Sequence, residues 1–131
     1  MIKLDEMLEK NIEELTIGVR ICGEKYTIKL MQRPNNIRTT EYTEVAGASN
    51  SFLNEIEIYN IRSLAKKCQK IELHRYINET VRHEVMHAFL HETGINEQIN
   101  EINYKMENAV EWFAVIAPKV FQVFDKLDVL Y

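Results

Sequence analysis

The chain has 131 residues, of which 46% are apolar and 27% charged, and its formal net charge is −4. That length suits one domain over residues 1–131 with one core, and no stretch approaches the roughly 18 apolar residues of a membrane span. The acidic balance weighs against nucleic acid as the main partner, because phosphate binding needs a basic surface. The start, MIKLDEMLEK, alternates acids with apolar residues and lacks the basic start and apolar run of a signal peptide, so the expected compartment is the cytoplasm.

Ile2, Met7, Leu8, Ile12 and Leu15 recur at loosely helical spacing and predict a short first helix. TIGVRIC and KYTIKLM are rich in β-branched and aromatic residues and are separated by a turn at Gly23–Glu24, which predicts a β-hairpin. Residues 32–51 read as loop, from Pro34, Asn35 and Asn36 through Gly47, Ala48, Ser49 and Asn50, with EYTEV as a short strand between. NEIEIYN alternates cleanly, Ile56 and Ile58 on one face and Glu55, Glu57 and Tyr59 on the other, as a half-exposed strand does.

IRSLAKKCQKIELHR follows as a basic helix with Leu64, Ala65, Cys68 and Ile71 as its apolar stripe. Its cations read as a solvated face. A long helix over about 77–93 comes next, capped by Asn78 or Thr80 and stopped by Gly94. After the polar INEQINEIN, one helix over about 104–117 and another opened by Pro118 complete the chain, the last burying Val120, Phe121, Phe124 and Leu127. Helix, strands and then helices predict an α+β fold in which a small antiparallel or mixed sheet packs on helices. Cys22 and Cys68 are isolated from each other and read as core or half-buried thiols.

The chemistry concentrates in RHEVMHAFLHETG, residues 82–94. HEVMH is an HExxH pattern. Residues four apart are neighbours on one helix face, so His83 and His87 can converge on one Zn²⁺, and Glu84 stands beside them as a general base. Val81, Val85, Ala88 and Phe89 form a separate apolar face, so the helix can pack on a core and still present its histidines. His91 lies two turns, about 12 Å, beyond His83 with no intervening glycine to reverse the chain, which argues against it as a third ligand. His74 has no spacing argument. A carboxylate is the better third ligand. Glu107 and Glu111 sit four apart in YKMENAVEWFA, where one can ligate and the other can hold a histidine tautomer.

HEVMHAFLHETG followed by ENAVE resembles the gluzincin arrangement, HExxH and then ExxxD/E on the next helix. The chain is similar to the small HExxH proteins of phages and mobile elements grouped with the ImmA/IrrE-like metallopeptidases. NEIEIYN before the motif and EWFAVIAPKV after it match the same pattern, which covers about residues 52–121. The resemblance implies a minimal zincin-like domain with His83, His87 and Glu107 as zinc ligands, Glu84 as base and Glu111 in support, Glu standing where the pattern prefers Asp.

The expected function is therefore zinc-dependent hydrolysis of a protein or peptide bond. The substrate would align along the edge of the strand near 55–59, and Tyr104 or His91 would orient it or stabilise the oxyanion. The alternative is a zinc-binding but catalytically inactive assembly or interaction module. A protease acting on nucleoprotein is a third reading, disfavoured by the acidic balance.

Overall fold

The computed structural model describes residues 2–32, 46–50, 53–94 and 106–131. Eight elements lie within them, in the order α1 (Ile2–Glu9), β1 (Glu14–Ile21), β2 (Glu24–Met31), β3 (Ala46–Asn50), β4 (Glu55–Tyr59), α2 (Ile61–Ala65), α3 (Lys70–Glu92) and α4 (Met106–Leu127). The four strands form one mixed sheet in the order β1-β2-β4-β3. β1 and β2 are an antiparallel hairpin, β4 runs parallel to β2, and β3 runs antiparallel to β4. The α+β expectation holds, with the mixed form of the sheet.

The hairpin loop is Cys22–Gly23, one residue earlier than the sequence suggested, with Ile21 opposite Glu24. Both loop residues have positive φ, 52° and 83°, as a two-residue type I′ turn requires to match strand twist. Alternation then sorts the sheet. Val19, Ile21, Tyr26, Ile28, Leu30, Ile56 and Ile58 are buried on one face, whereas the other carries groups such as the Lys29–Glu55 pair at 3.2 Å.

Several expectations fail. The stretch around Gly47 is a strand, although glycine, serine and asparagine disfavour β structure, because backbone pairing with β4 supplies what its side chains do not. The basic segment breaks after α2, and its second half is the first turns of α3. That helix begins at Lys70, where the Glu72 side chain accepts the Gln69 backbone N–H at 3.1 Å. Asn78 and Thr80 therefore cap nothing. Thr80 bonds the Tyr76 carbonyl within α3, and buried Asn78 donates to the Tyr131 carbonyl. Ile71, placed in the apolar stripe, is 73% exposed. Finally, Pro118 lies inside a continuous α4 rather than opening a helix. Its side is exposed, so the lost intrahelical bond lies away from the core. On α4 the inward positions are Ile116, Val120, Val123, Phe124 and Leu127, whereas Phe121 points outward at 54% exposure. EYTEV lies outside the described residues.

The core lies between the apolar sheet face and the helices. α3 spans β3 and β4 and buries Leu73, Ile77, Val81, Val85, Ala88 and Phe89. Gly94 ends it at φ 73°, as expected, with its N–H on the His91 carbonyl. α4 reaches the sheet at β1. Two side chains of α3, Asn78 and Arg82, grip the segment after α4 by the carbonyls of Tyr131 and Val129, each at 2.6 Å, with Val129 fully buried. No helix among the described residues is long and apolar enough to cross a membrane.

Candidate metal and acid–base site

α3 separates the two kinds of side chain that its sequence interleaves. Val81, Val85, Ala88 and Phe89 are buried against the sheet, and His83 and His87 are exposed one turn apart on another side. The imidazoles meet edge to face, their ring centroids 4.8 Å apart. Nε2 of His83 and Nε2 of His87 are 3.1 Å apart. Two nitrogens bonded to one tetrahedral Zn²⁺ at about 2.0–2.1 Å would stand about 3.3 Å apart. The separation of the two imidazole nitrogens is thus close to the one that a shared metal would set. It fits equally a single shared proton, one Nε2–H donating to the other bare Nε2.

Glu84 behaves differently from its neighbours. It is buried, 7% exposed, on the side of α3 that faces β3. The sequence placed it in the polar sector with the histidines; it lies at the boundary between that sector and the packed face. Burial raises its carboxyl pKa above the ordinary value, opposed by the nearby His87 and His83.

The cause of the burial is Gly47, which reads as loop in the sequence and lies in β3. A Cβ at position 47 would lie 2.6 Å from Cγ of Glu84 and 3.0 Å from its Cδ and Oε1. The bare backbone of β3 is thus the wall against which the glutamate rests. A lone glycine inside a strand marks such a close approach, a signal hidden here because the strand itself was not legible.

The remaining sequence candidates divide. His91 is exposed near the end of α3, two turns from His83. His74 is committed elsewhere, its Nε2 2.8 Å from Asp5 of α1. Tyr104 lies outside the described residues. Glu107 and Glu111 fall within α4, but their side chains also lie outside the described part. Trp112 ties α4 to the C-terminal end of α3, its Nε1–H donating to Oγ1 of Thr93 at 3.1 Å, six residues beyond His87. A second tie holds the same end of α3 to the sheet, the Tyr26 hydroxyl donating to Glu92 at 2.5 Å. Among the described residues no cluster of three or more histidine, cysteine or acidic side chains is arranged to hold a metal. The described residues thus supply two donors and an adjacent carboxylate.

The strand expected to receive a substrate is not an edge. β4 is flanked by β2 and β3, so its backbone groups are already paired, and among the described residues the free edge on this side of the sheet belongs to β3. Comparison with family models, with curated proteins and with solved structures finds no match to this chain.

Proposed function

We propose that the protein is a minimal zinc-dependent peptidase of the gluzincin type with a zincin-like fold. The observation that carries this reading is one arrangement on α3: two imidazole Nε2 atoms 3.1 Å apart, beside a carboxyl group buried against the backbone of β3. His83 and His87 are the metal ligands. Glu107 is the third ligand, and Glu111 supports a ligating histidine. When bound, zinc polarises a carbonyl and lowers the pKa of water.

The chain's own residues do the rest. Glu84 takes the proton from the attacking water and delivers it to the amine nitrogen as the C–N bond breaks. Burial suits it to the task, because a carboxyl with a raised pKa holds a proton more readily in mid-reaction. An extended substrate aligns along the edge of β3 that is open among the described residues and runs past Glu84 at Gly47, and it pairs there by main-chain hydrogen bonds.

Metal content and peptidase activity test this together. Purified protein is expected to hold near-stoichiometric zinc, and His87→Ala and Glu107→Ala to lose it. Glu84→Gln should keep its zinc and lose turnover by about 10²–10⁴-fold. A wild type that binds no zinc on titration would overturn the metal site. A zinc-loaded wild type whose function survives Glu84→Gln unchanged would leave the site standing as a non-hydrolytic interaction module.

A further inference from the structure

At the opposite end of the sheet from β3, the other edge among the described residues is β1, and it is free there. Two cavities wrap it. One, of about 490 Å³, lies between the hairpin and α4 and is floored by Val19, Phe89 and Val123. The other, of about 340 Å³, lies where Gly18, Lys25 and Thr27 line the surface. Val19, Arg20 and Lys126 line both, so the two adjoin as one groove.

The groove is basic in an acidic protein. Arg20, Lys25, Lys119 and Lys126 line it and are exposed, against a chain charge of −4. None of the four makes an ion pair among the described residues. Arg20 and Lys25 stand directly opposite each other in the hairpin, a like-charge pair that costs stability. Two carboxylates lie near Tyr26, Glu92 and Glu24, and Glu92 already accepts from the Tyr26 hydroxyl. The aromatic rings in the lining, Phe89 and Tyr26, are 1% and 2% exposed, so nothing in the groove offers the stacking platform that single-stranded nucleic acid uses.

The geometry points to a docking site for an acidic polypeptide segment, bound extended along the free edge of β1 and neutralised by Arg20, Lys25, Lys119 and Lys126. Backbone pairing with the strand edge would give it register, and the four cations its selectivity. This site is separate from the histidines of α3 and does not depend on the peptidase proposal. Edge lysines have another known use, blocking edge-to-edge association between copies of a chain, and the test separates the two.

The probe is a fluorescein-labelled oligoglutamate peptide, followed by anisotropy at low salt. The wild type should bind it, and added salt should weaken binding steeply. Lys119→Gln/Lys126→Gln should weaken it at least about tenfold, with an unchanged thermal melt, and Lys66→Gln/Lys67→Gln should not. No binding by the wild type at low salt overturns the site, as does equal weakening by both double variants. Tighter binding of oligothymidylate of equal charge overturns the assignment to a polypeptide. Self-association of Lys119→Gln/Lys126→Gln with peptide binding unaltered identifies the lysines as edge guards and overturns it as well.

Discussion

β3 and β4 are paired along their full length, yet they are strands for opposite reasons. β4, EIEIY, is a strand through its side chains: Ile56 and Ile58 are fully buried and their neighbours alternate outward. β3, AGASN, buries no large side chain and is a strand through its backbone alone, from Ala46 opposite Tyr59 to Asn50 opposite Glu55. The first kind builds the core. The second kind builds the candidate site, because only a glycine at position 47 lets Glu84 settle against the strand. Substitutions in the two strands should therefore fail in different ways.

The largest effect belongs to β4. Ile58→Ala removes a fully buried side chain at the centre of the sheet and should cost about 2–5 kcal/mol. The measurement is a urea or thermal unfolding midpoint. Any loss of zinc or turnover should track the unfolded fraction and vanish when the protein is held folded. A variant that stays stable but loses activity would break the distinction between the two strands.

Gly47→Ala in β3 should show the reverse pattern. A methyl group 2.6 Å from Cγ of Glu84 must push the glutamate aside. The stability cost should be smaller, about 1–3 kcal/mol for overpacking. Turnover should fall far more than stability explains, with zinc content unchanged, since His83 and His87 are exposed on another side of α3. Parallel measurement of melting temperature, zinc content and kcat checks this. Gly47→Ala with wild-type kcat would show that β3 does not position Glu84.

The same distinction explains what could be read from the sequence. Patterns written in side chains were legible: the hairpin, β4, the packed face of α3, its stop at Gly94 and the HExxH pair all follow from spacing. Features written in the backbone or in distant pairing were not. β3 looked like loop because its residues have low strand propensity, and Gly47 lost its meaning with it. The break before α3 is hidden because apolar periodicity runs through it, and the reciprocal contacts of Gln69 and Glu72 with each other's backbone show where the helix begins. Pro118 read as a helix start because an isolated sequence cannot show that its exposed side tolerates the missing bond.

Trp112 probes a third class, polar ties between elements. Trp112→Phe keeps most of the ring but removes the donor to Thr93 that fastens α4 to the end of α3. The expected stability loss is about 1 kcal/mol, the ordinary net worth of one hydrogen bond. A urea unfolding midpoint measures it. An unchanged midpoint would mean that α4 is held at this end by its apolar face alone.

The smallest effect lies in the tie between α1 and α3, whose residues are 69 apart in sequence. Asp5 accepts from His74 at 2.8 Å and pairs with Lys70 at 3.2 Å. The His74 hydrogen bond, with a lesser contribution from Lys70, holds the Asp5 carboxyl below its usual pKa. The sign follows from linkage. A carboxyl whose pKa is lowered by folding stabilises the folded state above its unfolded value, about 3.9, and loses that contribution as pH falls through the lower folded value. Asp5 is partly exposed, 34% for its side chain, so solvent screens the pair and the effect should stay below about 1 kcal/mol. Wild type should therefore exceed Asp5→Asn slightly in urea midpoint at neutral pH, and the gap should close as pH drops below about 4. A gap that persists at acid pH would assign the loss to packing of α1, where Leu4 and Met7 are fully buried on either side of Asp5, rather than to charge.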